Sequence, residues 1–243
     1  NLCFGDWLFW RGRESTEFRG SQQQWPPFIE QYLDQHQITD ILLLGEQRFY
    51  HRHATRLANA RGIQVVTTDF GYLRPDWITF ERNGMSANSD FPREPEKIIA
   101  MAEGLPEPDL QQQFKDSFVR QVFWDIQYHL LSTFLRVLYP GYRSHQLHHP
   151  IWVYLGTGLR LLKLRLFRQR QAMQVIETFV QSSSRYMVFP LQMANDFQIR
   201  AYSDYDSLEQ AIEEVMVSFA SHAPEDMSLI IKLHPLDPGL TNW

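Results

Sequence analysis

Within about 30 residues the chain passes from an apolar run through a helical pattern to a second apolar run, a succession that restricts the fold more than any other feature. "ITDILLLG" (38–45) is a short apolar segment closed by glycine, the pattern of a buried parallel strand. "QRFYHRHATRLANARG" (47–62) reads as a turn and a helix, with Arg61 in its last turn and Gly62 to end it. "IQVVTTD" (63–69) is β-branched and predicts the next strand. Strand, helix and strand in this order make a βαβ unit, the building block of a doubly wound sheet. Upstream, "WPPFIEQYLDQHQ" (25–37) places Phe28, Ile29, Tyr32 and Leu33 at helical spacing behind two prolines suited to a helix start.

The same succession begins again from Tyr186. "YMVFPLQ" (186–192) has strand character, and "SLEQAIEEVMVSFASHA" (207–223) is an amphipathic helix that Asp206 or Ser207 can cap. "SLIIKLHP" then returns as a strand, and a stub of three elements cannot close its own sheet. Between the two units, from about 107 to 182, lie long helical patterns such as "FVRQVFWDIQYHLLSTFLRVLY", interrupted at Pro140–Gly141. These readings predict an α/β chain in three parts: an N-terminal domain over 1–106 with an incomplete start, a helical insertion over 107–185, and the start of a second α/β domain over 186–243. "NLCFGDWLFW" has neither an initiator methionine nor a signal pattern, so both ends read as cut.

Composition removes several function classes. The 243 residues are 44% hydrophobic, enough for a sizeable core, and a net charge of −5 argues against nucleic acid as the main partner. Cys3 is the only cysteine, which excludes an intramolecular disulfide and a cysteine-based zinc site and fits a reducing compartment. No apolar run reaches the ~18 residues a spanning helix needs. Walker, GxGxxG, GxSxG and HExxH patterns are absent, and the clustered His145, His148 and His149 have no carboxylate at helical spacing, so no metal is predicted.

Four stretches can carry chemistry. In "TTDFGYLRPDWITFE" (67–81), Asp69 falls at the carboxyl end of a strand, where open α/β sheets bind ligands. It can act as general base or nucleophile, with Arg74 holding an anion; the plain alternative is a surface turn with Arg74 paired to Asp76. Arg48, in the turn after the first strand, is a second candidate for acceptor or anion binding. In "KLHP", Pro235 pushes His234 towards extended geometry, and Lys232 and His234 can both donate to a phosphate; a structural turn histidine is the alternative. "FPLQMANDFQIRAYS" (189–203) supplies Gln192, Asp196, Gln198 and Arg200, a set that suits sugar or base recognition or plain loop capping. "GLRLLKLRLFRQRQ" (158–171) interleaves Arg160, Lys163, Arg165, Arg168 and Arg170 with leucines and Phe167, without an acid. That fits a basic helix on an anionic bilayer, or a core-packed helix with a solvated basic face.

Four segments together, "GDWLFWRG" (5–12), "GYLRPDWIT" (71–79), "FPLQMANDFQIR" (189–200) and "KLHPLDPGL" (232–240), resemble the capsule polysaccharide biosynthesis and export proteins of Gram-negative bacteria, of the KpsS/LipB type. The resemblance implies two Rossmann-like domains in a GT-B-like arrangement, the second truncated here. It implies a β-Kdo glycosyltransferase that uses CMP-β-Kdo as donor, with no cofactor. The acceptor it implies is (lyso)phosphatidylglycerol, on which the poly-Kdo capsule linker starts. It implies donor binding by His234 and Pro235, joined by Lys232 and Gln192, on one side of an interdomain cleft, with Asp69 as the catalytic carboxylate on the acceptor side. Phe70 stands where some relatives carry a second acid. Location follows as cytoplasmic, peripheral on the inner membrane, with other capsule synthesis or export proteins as partners. With part of each domain missing, the segment is expected to be inactive by itself. Two other readings stay open: a non-catalytic subunit for capsule export or assembly, and a transferase for another CMP-activated acidic sugar.

Overall fold

The computed structural model describes every residue except 12, 72, 116, 183–184 and 242–243, so Gly12 and Tyr72 of the motifs above lie outside the described residues. The chain divides into two compact units, Asn1–His145 and Gln146–Trp243. In the first, α1 (Phe4–Trp10), α2 (Trp25–Gln35), β1 (Asp40–Leu44), α3 (Phe49–Asn59), β2 (Gln64–Phe70) and β3 (Ile78–Arg82) are followed by α4 (Pro95–Ala102) and α5 (Phe118–Phe134). In the second, α6 (Pro150–Lys163) continues through a π-helical stretch, Leu164–Arg168, into α7 (Gln169–Ser182); β4 (Arg185–Pro190), α8 (Phe197–Arg200), α9 (Leu208–His222) and β5 (Met227–Lys232) follow.

The expected βαβ unit forms in the first unit. β1 and β2 pair in parallel from Asp40–Gln64 to Leu44–Thr68, joined by α3. Tyr50, Ala54 and Ala58 recur every four residues and make the buried stripe of α3, and the alanines let it approach β2 closely over Val65 and Thr67, which are fully buried. Glycines end the elements where the chain must turn left-handed: Gly45 (φ +65°) after β1 and Gly62 (φ +70°) after α3. α2 is tied to the unit by Trp25, whose indole N–H donates to the Tyr50 carbonyl at 2.8 Å while its ring meets Phe18 edge-on at 5.0 Å. Arg61 adds ion pairs to Asp34 and Glu30.

The sheet is mixed, in the order β1-β2-β3, because β3 returns antiparallel to β2 with Asp69 opposite Thr79 and Phe70 opposite Ile78. The expected turn after Asp69 is therefore a hairpin connection. Gly71 accepts no side chain there, since a Cβ would lie 2.5 Å from the Trp77 backbone, and its N–H donates to the Trp77 carbonyl at 2.8 Å.

The helical segment expected as one insertion is shared between the units. α5 packs on α1, where Gly5 leaves room for the Tyr128 ring. The Tyr128 hydroxyl donates to Asp6 Oδ1 at 2.8 Å, and Asp6 Oδ2 accepts the Leu2 and Cys3 N–H groups. Burial, reinforced by Asp6, pushes both the Tyr128 hydroxyl and the Cys3 thiol up from their ordinary ranges. α6 and α7 fall in the second unit, where β4 and β5 pair in parallel from Arg185–Met227 to Pro190–Lys232. Ser207 caps α9 as expected, accepting the Gln210 N–H.

Candidate functional site at the strand ends

In the first unit the carboxyl ends of β1 and β2 lie side by side, the Gly45 N–H donating to the Thr68 carbonyl at 3.1 Å. Asp69 sits one residue further along, exposed, with Oδ1 accepting its own neighbour's N–H from Phe70 at 2.7 Å. Among the described residues Asp69 Oδ2 accepts no hydrogen bond, so one oxygen is open to a ligand. Arg74 lies over the Phe70 ring, 5.2 Å from its centroid, and its Nε–H donates to the Gly71 carbonyl. Asp76 accepts the Phe114 N–H at 2.7 Å, so the turn is not held by the alternative Arg74–Asp76 pair. Arg48 stands at the N-cap of α3, on the same strand-end side as Asp69.

Two residues there escaped the sequence reading. Glu46, directly after Gly45, is buried, its Oε1 accepting from Asn88 and Gln47. His51, in the first turn of α3, points Nδ1 at the Gly45 carbonyl at 2.7 Å, and burial holds its pKa below the ordinary imidazole value although that hydrogen bond works the other way. The signal for both was the acid-and-histidine spacing immediately behind an apolar strand and its glycine.

In the second unit the parallel register opposes Pro190 to Lys232, and the Leu191 N–H extends the ladder to the Lys232 carbonyl at 2.8 Å. Gln192, Lys232, His234 and Pro235 thus emerge at one end of this sheet, the two motifs meeting although about 40 residues separate them. His234 Nδ1 accepts the Leu236 N–H at 3.1 Å, so the neutral ring carries its hydrogen on Nε2. Among the described residues that Nε2–H meets no acceptor. Asp196 caps α8 through the Gln198 N–H, and Arg200 lies over Phe197, so this part of the polar cluster carries loop structure.

The basic helix divides. Lys163, Arg165, Arg168 and Arg170 are exposed, beside exposed Leu166 and Phe167. Arg160 departs from that set: its guanidinium turns inward and donates to the backbone carbonyls of His234, Pro235 and Asp237. His149 caps α6, accepting the Ile151 N–H, with Pro150 in the first turn. Among the described residues no group of three or more His, Cys, Asp or Glu is gathered to hold a metal ion.

A family model described as capsule polysaccharide biosynthesis protein matches residues 39–243. The chain belongs to this family. It is 31% identical over 242 residues to the capsule polysaccharide export protein KpsS of Escherichia coli, covering 98% of this chain and 61% of that protein. It is 30% identical over 253 residues to the capsule polysaccharide modification protein LipB of Neisseria meningitidis serogroup A, covering 100% of this chain and 59% of the relative. The chain thus spans about three fifths of the length of these relatives. No solved structure matches it. The family match takes in β1 onward, hence Asp69 and the whole His234 loop, while "GDWLFWRG" lies ahead of it. No helix among the described residues is long and apolar enough to cross a membrane.

Proposed function

We propose that this capsule-family chain contributes the donor-binding and catalytic residues of a β-Kdo transferase, which moves Kdo from CMP-β-Kdo to (lyso)phosphatidylglycerol. The observation that supports the proposal is the shared strand end of β4 and β5, from which Gln192, Lys232 and His234 emerge, with no acceptor for His234 Nε2–H among the described residues. CMP leaves as a phosphate monoester, so donors fixed around that phosphate stabilise the charge growing on it as the glycosidic bond breaks. Pro235 holds the backbone at His234, and Lys232 adds a full positive charge. Asp69 acts on the sugar side. A β donor giving a β product requires two inversions: the Asp69 carboxylate displaces CMP to form a sugar–enzyme ester, and the acceptor hydroxyl then displaces Asp69, losing its proton to a base. Arg48 and Arg74 bind the acceptor phosphate. No metal or cofactor takes part in this scheme.

Lys163, Arg165, Arg168 and Arg170 give the enzyme a basic, apolar docking surface for the cytoplasmic leaflet of the inner membrane, where the lipid acceptor lies. The test supplies CMP-β-Kdo and a fluorescent lysophosphatidylglycerol to the natural gene product and reads added Kdo by mass spectrometry. One Kdo added by the parent and none by Asp69→Ala is the expected result. Inversion, or an adduct trapped on another residue, removes Asp69 as nucleophile. Transfer from a different CMP-activated acid changes the donor assignment, and absence of both transfer and CMP binding leaves an export or assembly subunit.

A further inference from the structure

Three backbone carbonyls of the His234–Gly239 loop converge on one side chain of α6. Pro235 and Pro238 lack N–H groups, so the loop satisfies few of its own carbonyls. Arg160 supplies what is missing: Nη2 donates to His234 O at 3.1 Å, and Nη1 donates to Pro235 O at 3.1 Å and to Asp237 O. A planar guanidinium can serve three carbonyls at once because its N–H groups form a rigid fork. One turn earlier on the same helix face, Gly156 brings α6 against the loop, since a Cβ there would lie 2.6 Å from Pro238 O. Gly239 (φ +67°) completes the seat, passing 3.3 Å from Arg160 Cδ measured from its would-be Cβ.

With three of its carbonyls turned to Arg160, the loop also makes three hydrogen bonds of its own. The Asp237 N–H donates to His234 O, Asp237 Oδ1 accepts the Gly239 N–H at 2.7 Å, and the Leu236 N–H occupies His234 Nδ1. Among the described residues His234 Nε2–H meets no acceptor. We propose that Arg160 is a positioning residue: by gathering the three loop carbonyls onto α6, with Gly156 as the seat, it holds His234 in the tautomer and orientation that present Nε2–H to the phosphate of the CMP-sugar. This inference rests on the donor-binding reading above, and it assigns Arg160 to the donor site rather than to the membrane surface.

The test measures CMP affinity by calorimetry and the His234 tautomer by 15N NMR of the ligand-free imidazole, both in the natural gene product. Arg160→Gln removes the fork, and Gly156→Ala displaces the loop without touching a charge. Each should raise the CMP Kd about tenfold and shift His234 from the Nε2–H form towards a mixture of tautomers; Arg160→Lys should recover part of both effects. Parent-like CMP affinity and tautomer in these variants, with His234→Ala losing CMP, overturns the inference and leaves the donor reading standing. If His234→Ala binds CMP as the parent does, or the parent does not bind it, the donor reading fails and the inference with it. Global unfolding of all three variants also overturns it, because the contact would then serve stability rather than the histidine.

Discussion

Neutralising Arg165 and Arg168 tests the membrane assignment. Both belong to the π-helical stretch Leu164–Arg168, are exposed, and flank Leu166 and Phe167, which are 59% and 70% exposed. Because Arg160 is engaged by the His234 loop, the surface set holds four cations: Lys163, Arg165, Arg168 and Arg170. Each cation near an anionic leaflet contributes about 1 kcal/mol, so Arg165→Gln with Arg168→Gln removes about 2 kcal/mol. That corresponds to roughly a 30-fold weaker partition onto the vesicle. The assay is co-sedimentation with vesicles rich in phosphatidylglycerol, run beside neutral phosphatidylcholine vesicles and repeated at rising salt. The double variant should bind anionic vesicles ~30-fold less tightly and neutral ones as the parent does, and the parent's advantage should shrink as salt shortens the screening length. Equal affinity of parent and variant for anionic vesicles would return the helix to a solvated basic face. An equal loss on neutral vesicles would show that packing, not charge, had been disturbed.

Gly5→Ala puts a Cβ 2.4 Å from the Tyr128 ring and 2.6 Å from Ser132 Oγ, so α5 must shift from α1. Overpacking of this kind costs about 1–3 kcal/mol, to be read as a lower denaturation midpoint; an unchanged midpoint would mean that α1 and α5 are not docked in solution. His51 is held below the ordinary imidazole pKa by burial, so below pH 6.5 the unfolded chain binds the proton more readily. Stability is therefore full above 6.5 and falls as the pH drops from there towards the folded-state value, and His51→Asn should flatten that part of a pH–stability curve measured by chemical denaturation, while an unaltered slope assigns the acid sensitivity to other groups.

The βαβ units were legible because their causes are local. An apolar run closed by a glycine, or a stripe at Tyr50, Ala54 and Ala58, declares its element through spacing alone, and observed ends differ from the expected ones by one to three residues, as for β5 at Met227–Lys232. β3 was missed for a different reason. "ITFER" is a short strand whose partner is β2 across a turn, and that turn works through the approach of Gly71 to the Trp77 backbone, a contact that no propensity encodes. Likewise α5 reads as one more long helix of an insertion until Gly5 is seen to accommodate Tyr128.

The same distinction explains which candidate site residues could be reached from the sequence. Strand-end positions follow from topology, so Asp69, Gln192 and His234 were reachable once the parallel strands had been recognised. The direction in which a side chain leaves a helix was not. Along 158–171 cations and leucines alternate so closely that each cation looks equally free, and the five were read as one surface. What separates Arg160 lies more than 70 residues away, in a loop whose two prolines supply no N–H donors of their own. Gly156, one turn before Arg160 on α6, provides the space for that loop, and the guanidinium provides the fork. Only the fold brings the "HPLDPG" loop to α6, where the Arg160 guanidinium donates to the carbonyls of His234, Pro235 and Asp237.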